Sequence, residues 1–535
     1  MSDLYPVDIE SVIKYGIQDW EKSYFYPVSE DEFVDLSNNI KEIVFKHTNY
    51  SSDQEIRDIL TINIKIFVEI VNLIHKKMVL DRLRQLGKKA VYRETSIIYK
   101  GICEKGVPFG SHYDYYEDKK YFVGGIKKRL RNKLSTLKHT FLLNSKSIRN
   151  SLKAFNSNII TLSTQDNIKE FLAENNSFVK YKRFDSFFLS NDIKPLSYDI
   201  IKLINDCADS IANDIFSYCE KRDILIHHPL RCYLYELIVS RLSYTASLYF
   251  QVKKSVARLK EGTILAAGLG NIFHRVICLT AMRENKHVIG FSHGNVVGMF
   301  DRDVNSYNEM SVVNEYRVYT KGCESNFRAL VKSYPCLQDN QVEVMSQNSK
   351  KFKRLHEDYG SLKRPTKIKS VMIVGVPMIN YRGQGSSFSL NQVFLEFKAI
   401  QCLKENNYQV IYKMHPYNRM HPNLFIDMDI DIIKKERFED IIGYTDAFLF
   451  LHIGSSTFGI TLLTNKPVAF LGYPYFKWFE EPYRLLKRRC RTFKGYYDEH
   501  NRLNFNGNEL IEVLGRKVEE PDTGFIEKYM FPESN

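Results

Sequence analysis

The sequence lacks any run approaching the roughly twenty apolar residues that a membrane-spanning helix needs. Its opening residues, Met1-Ser-Asp-Leu-Tyr-Pro-Val7, show neither the basic start nor the apolar run of a secretory leader. A cytoplasmic chain is expected. Cysteine is sparse: nine residues in an odd count, without a Cys-x-x-Cys pair, which argues against a disulfide framework and a zinc ribbon. The nine read as reduced core residues. Proline and glycine are also few, 15 and 26 of 535, beside 44% hydrophobic residues, which excludes collagen-like, low-complexity and disordered chains. There is no Cys/His finger, no RNP-like aromatic strand and no basic region leading into heptads, so no nucleic-acid partner is expected.

What is abundant is positive charge. The 76 Lys and Arg exceed the 63 Asp and Glu by 13, a surplus that by itself suits a nucleic acid, an anionic membrane surface or phosphorylated small molecules. Two clusters hold part of it: Lys127, Lys128, Arg129, Arg131 and Lys133, then Lys487, Arg488, Arg489, Arg491 and Lys494. Each reads as a solvated helix face, with a binding patch as the alternative.

At about 100 to 200 residues per domain, the length predicts about three structural units. Residues 1–135 read as a helical accessory region, since Ile, Leu and Val recur at three- and four-residue spacings from Ile56 to Leu86. From residue 136 the pattern becomes β-branched runs followed by amphipathic helices. Asn158–Leu162 precedes a helix over 165–175, and Thr263–Ala267 precedes Gly268-Leu-Gly-Asn271, a helix to about Asn285 and a strand at Val288–Phe291. Lys351–Lys369 is basic, contains proline and has no apolar period, as in a linker. Four nearly continuous apolar strands follow, at Ser370–Val374, Gln409–Lys413, Ala447–Leu451 and Val468–Leu471, with helices at about 390–406, 438–444 and 457–464. Such runs predict parallel sheets covered on both faces. The chain therefore reads as α/β: two doubly wound domains behind a helical extension, with ligands expected beyond the carboxyl ends of the strands.

Three loops stand at those ends. In Met414-His415-Pro416, the proline holds His415 extended and the imidazole can donate to a phosphate, with a purely structural strand end as the alternative, since His228-Pro229 and His421-Pro422 carry the same dipeptide. In His452-Ile-Gly454-Ser455-Ser456-Thr457, the glycine permits a tight turn, and the hydroxyls with free N–H groups at a helix start can bind an anion or simply cap the helix. In Phe291-Ser292-His293-Gly294-Asn295, His293 is a candidate general base or a histidine satisfied by neighbouring backbone groups, with Asp301, Asp303 and Glu309 following as alternative bases or nucleophiles. Gly383-Gln-Gly385-Ser386, after the first strand of the second domain, reads as a flexible loop at the cleft or as a plain connector. Gly268-Leu-Gly270 is a poor dinucleotide fingerprint because residue 273 is Phe, and Asp427-Met-Asp-Ile-Asp431 and Asp301-Arg-Asp303 lie outside the strand pattern that an Asp-x-Asp metal motif requires.

The ordered set Ser292-His-Gly294, Lys413-Met-His-Pro416 and Gly454-Ser-Ser-Thr-Phe-Gly-Ile-Thr461 leading to Asn465-Lys-Pro-Val-Ala469 resembles bacterial surface-polysaccharide transferases of the GT-B fold. It is most similar to the capsule Kdo and sialic-acid-type transferases, whose His-Pro and Ser-Ser motifs hold the phosphate of a CMP-activated sugar. It is more distantly similar to the CDP-glycerol glycerophosphotransferases. The match spans about residues 260 to 475. Phe291-Ser292 stands where the polyol-phosphate enzymes carry an aromatic residue directly before their His, and His452-Ile-Gly stands where they carry Asp-Tyr, which favours the sugar transferases.

The resemblance implies a GT-B architecture of two Rossmann-like domains facing a cleft: residues 136–360 for the acceptor, 361–500 for the nucleotide-sugar, and 501–535 as a tail. It implies that His415, Pro416, Gly454, Ser455, Ser456 and Thr457 hold the nucleotide phosphate and that His293 sits at the reacting centre. Ser292, Gly294, Asn295, Gly383, Gly385 and Ser386 would line the cleft. The expected reaction is metal-independent transfer of an acidic sugar onto a capsule, lipopolysaccharide or other surface glycan. The donor would be a substrate, no cofactor would be involved, and the partners would be a glycan or glycolipid acceptor and the inner leaflet. Polyol-phosphate transfer and non-catalytic glycan binding are the alternatives. Inversion through a base and retention through a carboxylate nucleophile both stay open.

Overall fold

The computed structural model describes residues 3–532 except 22, 93–96, 104–125, 189–194, 293, 295–297, 301–303, 348, 377–385, 417–424, 454–455 and 475–476. The chain divides into two compact units. One comprises residues 1–40, 68–109 and 352–527, the other 41–67, 110–351 and 528–535. Among the described residues no helix is long and apolar enough to cross a membrane.

The first unit carries a two-stranded parallel ribbon, β1 (Leu4–Pro6) with β2 (Lys89–Val91). The second is built on β3 (Ile159–Thr161), β4 (Lys180–Tyr181), β5 (Thr263–Ala267), β6 (His287–Phe291), β7 (Glu315–Val318) and β8 (Glu343–Ser346), all parallel in the order β4-β3-β5-β6-β7-β8. The larger sheet of the first unit contains β9 (Ser370–Val374), β10 (Gln409–Lys413), β11 (Asp431–Ile433), β12 (Ala447–Phe450), β13 (Val468–Gly472), β14 (Arg491–Tyr497) and β15 (Leu503–Phe505). Its order is β11-β10-β9-β12-β13-β14-β15, parallel except for the β14–β15 pair. In each sheet the strand order reverses once, between β3 and β5 and between β9 and β12. Those are the positions where open α/β sheets bind ligands.

The parallel order follows from the sequence. Every residue of β9 is buried, as continuous apolar runs require when helices cover both faces. The helices end in one repeated way before three strands. Asn176, Asn285 and Asn407 adopt the left-handed region at φ 47, 56 and 60. The next N–H then reaches back five residues: Ser177 to Leu172, Lys286 to Ala281 and Tyr408 to Leu403, at 2.9, 2.9 and 3.0 Å. Asparagine tolerates that conformation better than other residues with a Cβ, so each helix stops where its asparagine stands.

Several expectations need correction. Residues 1–135 are shared between the units rather than forming a region of their own. In the first unit Tyr24 stacks on Phe394 of the Ser386–Glu405 helix with ring centroids 4.6 Å apart, and Arg502 donates to the Glu21 carbonyl at 2.7 Å. In the second, Arg275 donates to the Ile62 carbonyl at 2.9 Å, and Asp58, only 1% exposed, pairs with Arg283 at 2.7 Å. An apolar period shows that a helix has a buried face but not what covers it. Residues 501–535 are likewise no tail: β15 closes the larger sheet, the Thr320 hydroxyl donates to the Lys528 carbonyl at 2.9 Å, and the Cys323 thiol lies 3.3 Å from the Tyr529 carbonyl.

The first half of the expected linker is the helix Lys351–Tyr359, held by the single buried apolar residue Phe352 and by His356 Nδ1, 2.9 Å from the Leu463 carbonyl. The basic run at 487–494 is only partly a solvated face. Arg489 is buried and donates to the carbonyls of Leu462, Thr461, Thr464 and Lys466, while Arg491 donates to those of Val513, Leu514 and Lys517. Free backbone carbonyls at helix ends need donors, and an arginine fork supplies several at once. Of the eight described cysteines all are free, but only Cys219, Cys278, Cys323 and Cys490 are in the core; Cys207, Cys336 and Cys402 are half-buried and Cys232 is exposed.

Candidate functional site

The reversal in the seven-stranded sheet places three loops side by side. β10 and β12 both pair with β9, Lys413 opposite Val374 and Leu449 opposite Ile373. Their carboxyl ends are therefore two strand spacings apart, roughly 10 Å. Met414, His415 and Pro416 follow β10; His415 is half-buried and Pro416 exposed. Leu451, His452 and Ile453 follow β12, and the chain then enters the helix Ser456–Leu462 with Ser456 exposed and Thr457 half-buried. Gly375 and Val376 follow β9 between them. From the two flanking loops, side chains can reach one group seated beyond β9.

A polar layer lies beneath. Ser389, Gln392 and Glu396 recur at three and four residues on the Ser386–Glu405 helix, so they share one face, and each is at most 1% exposed. Glu396 accepts from Tyr412 Oη at 2.6 Å and from the Val376 N–H at 3.4 Å. Burial pushes its carboxyl up to about 8. A Cβ on Gly375 would run into Tyr412 Oη, so any side chain here makes the packing shift. Gln392 Nε2 donates to the Leu451 carbonyl at 3.4 Å and to Tyr473 Oη, which itself donates to the same carbonyl at 2.5 Å. That carbonyl accepts only, which fixes the orientation of the amide.

Two atoms of this layer have no hydrogen-bond partner among the described residues: Ser389 Oγ and Gln392 Oε1. A buried polar atom left unpaired costs about 1 to 3 kcal/mol, so each calls for a water or a ligand. His452 stands against the Tyr473 ring edge at 6.0 Å, and burial pushes its imidazole down to about 4. It is neutral at pH 7 and offers a hydrogen bond, not a charge.

Of the other residues expected at the site, His293, Asn295, Asp301, Asp303, Gly383, Gly385, Gly454 and Ser455 lie outside the described residues. Ser386 opens the Ser386–Glu405 helix, which begins four residues before the expected Leu390, and its side chain is also outside them. Serine is well placed in a first turn, where its hydroxyl can meet free N–H groups. In the six-stranded unit Ser292 is buried: its N–H donates to the Arg317 carbonyl at 2.9 Å, its hydroxyl donates to the Gly294 carbonyl at 3.1 Å, and its carbonyl accepts from Asn167 at 2.9 Å. Gly294 is buried as well. Glu309 is enclosed, accepting from Tyr316 Oη.

The reversal in that six-stranded sheet is knitted by Ser163, whose hydroxyl donates to the Ala267 carbonyl at 2.8 Å and accepts from the Ala267 N–H at 3.1 Å. Phe273, two residues beyond the turn at 268–271, is fully buried there, stacked on Phe184 at 5.3 Å. Among the described residues no three His, Cys, Asp or Glu side chains come together as a metal site. Asp429 approaches Lys404 at 3.7 Å, and Asp431 accepts from Gln409 at 3.0 Å.

No family model matches the chain, and no curated protein does. Among solved structures it is similar to a UDP-N-acetylglucosamine 2-epimerase from Rickettsia bellii, at 14% identity and a TM-score of 0.35, over 53% of this chain and 74% of that one. A likeness so slight transfers no chemistry to this chain.

Sequence reasoning missed Ser389, Gln392, Glu396, Tyr412 and Tyr473. One signal was present: Glu396 interrupts the apolar run Val393-Phe-Leu395 and Phe397, and a carboxyl within such a run must be paired or neutral.

Proposed function

We propose that the chain is a GT-B-type glycosyltransferase that moves an acidic sugar of the Kdo or sialic and pseudaminic type from a CMP-activated donor onto a bacterial capsule, lipopolysaccharide or other surface glycan. The observation that carries this reading is the placement of His415 and of Ser456-Thr457 on either side of β9, at the reversal point of one sheet. It matches the order of His-Pro and Ser-Ser motifs in the transferases that the sequence resembles.

The nucleotide leaves with growing negative charge. His415 donates to its phosphate, and the Ser455, Ser456 and Thr457 hydroxyls with the first-turn N–H groups add further donors. The helix behind them has only seven residues, so its dipole is a small contribution and His415 carries the larger share. The orphaned Gln392 Oε1 accepts from a donor on the nucleotide side, and neutral His452 hydrogen-bonds without attracting a second anion. The acceptor hydroxyl gives its proton to His293 or to a carboxylate among Asp301, Asp303 and Glu309, of which Glu309 is enclosed. In this mechanism side-chain and backbone donors meet the developing charge, so the reaction is read as metal-independent.

The test is thermal stabilisation by CMP, CDP, UDP, GDP and NAD. A ligand at about 100 times its dissociation constant adds roughly 2.7 kcal/mol. CMP is expected to raise the midpoint, and His415→Ala to abolish that rise. Turnover of CDP-glycerol would move the assignment to polyol-phosphate transfer. No response to any nucleotide would leave a glycan-binding protein.

A further inference from the structure

The positive surplus of the chain is concentrated in one place. Residues 119–165 contain eleven Lys and Arg and no Asp or Glu, so of the net +13 only +2 belongs to the other 488 residues. Within this stretch the helices Ile126–Leu143 and Ile148–Phe155 are joined by a turn in which Ser145 and Lys146 adopt φ 59 and 53.

These helices are mounted with an apolar stripe outward. On the first, Leu134, Leu137 and Phe141 share one face at spacings of three and four, exposed by 61, 52 and 36%. On the second, Ile148, Leu152 and Phe155 do the same at 74, 64 and 40%. The side turned toward the sheet is largely polar. Asn144 donates to the Val179 carbonyl at 2.8 Å and accepts from the Val179 N–H at 3.1 Å, and the Tyr181 N–H donates to Thr140 Oγ1 at 3.1 Å along β4. Among the described residues of this pair, Leu143 and Ala154 are the apolar ones that enter the core. A surface helix of a globular protein normally mounts the other way, with apolar residues in and polar residues out. Exposed Lys133, Lys138, Arg149 and Lys153 stand between the outward apolar residues.

We propose that this helix pair is the surface by which the chain docks on an anionic lipid bilayer. The apolar stripe enters the boundary between headgroups and acyl chains, and the Lys and Arg between and beside it meet the headgroup phosphates. Charge selects the occupant. A second copy of the chain would set one basic stretch against another, which is repulsive. A nucleic acid would satisfy the charge but offers no apolar medium for Leu, Ile and Phe. A bilayer with anionic lipids supplies both. The surface belongs to the six-stranded unit and the candidate nucleotide site to the other, and the docking reading does not depend on the identity of the donor.

Flotation of the full chain with vesicles tests it, using phosphatidylcholine alone and phosphatidylcholine with about a third phosphatidylglycerol. The chain is expected to float with the anionic vesicles only, and less as salt is raised. Lys138→Gln with Lys153→Gln should lower the partition by roughly 25-fold, about fivefold per charge removed. Leu137→Ser with Phe141→Ser should lower it although no charge changes. Leu137→Trp should add a blue-shifted emission on anionic vesicles, over the background of the two native tryptophans. All replaced side chains are exposed, so the thermal midpoint and any nucleotide response should stay as in the parent, which separates loss of docking from loss of fold or of the catalytic reading. Equal flotation with neutral vesicles, indifference to both double substitutions, or a dimer in sedimentation that those substitutions dissolve would overturn the proposal.

Discussion

Glu396 is a carboxyl kept neutral by enclosure, and its ionisation couples to stability with a definite sign. Its folded value near 8 lies above the ordinary 4.5, so between those limits the native state holds a proton that the unfolded chain has released. Stability contributed by this group is complete below pH 4.5 and falls as pH rises toward 8, by at most about 1.4 kcal/mol per pH unit. Glu396→Gln keeps the shape and removes the ionisation. The variant should melt with the parent near pH 5 and above it near pH 9; parallel midpoints across a pH series of thermal scans would mean that Glu396 is charged in the native protein. Its neighbour Gly375 gives a second test. Gly375→Ala drives a Cβ into Tyr412 Oη and should cost about 1 to 3 kcal/mol. Tyr412→Phe removes the atom it meets, so urea unfolding of the double variant should show less loss than the two single losses added together.

At the scale of elements, the sequence was most legible where apolar runs are long and bounded. β5, β9 and β10 begin and end at the expected residues, since each is a β-branched or aromatic run closed by polar or glycine residues. β4 and β11, of two and three residues, lie below the length at which an alternating or apolar pattern can be recognised, and only pairing with β3 and β10 makes them strands. The helix ends were legible in principle through Asn176, Asn285 and Asn407. Asn285→Ala should cost about 1 kcal/mol, because alanine lacks the tolerance for φ near +56, whereas Asn285→Gly should be neutral or slightly stabilising. Equal losses in urea unfolding would show that the asparagine side chain, rather than its backbone freedom, ends the helix. The polar layer at Ser389, Gln392 and Glu396 was not legible as a site, because its meaning depends on Leu451 and Tyr473, which sequence separation conceals.

At the scale of the molecule, local pattern gives elements but not the route of the chain between bodies, and so the division into two units at 40/41, 67/68, 109/110, 351/352 and 527/528 could not be read from composition. Residues 41–67 are held in the six-stranded unit by apolar packing, with Phe45 against the Tyr307 ring at 4.7 Å, and by polar contacts: Asp58, at 1% exposure, receives Arg283 Nη2 at 2.7 Å and Tyr249 Oη at 3.0 Å, and Arg275 meets the Ile62 carbonyl. Removing one partner of a buried pair costs about 3 to 5 kcal/mol, but Arg283 is 34% exposed, so water can reach the vacated place and roughly half that loss is expected for Arg283→Ala. The loss should be local. Amide exchange should rise first over residues 41–67 and only later in β5 and β6, because the sheet core does not depend on the pair. Asp58→Asn combined with Arg283→Met leaves no unpaired charge and should recover much of the protection. Exchange that rises uniformly through the six-stranded unit in Arg283→Ala would show instead that segment and sheet unfold as one cooperative body.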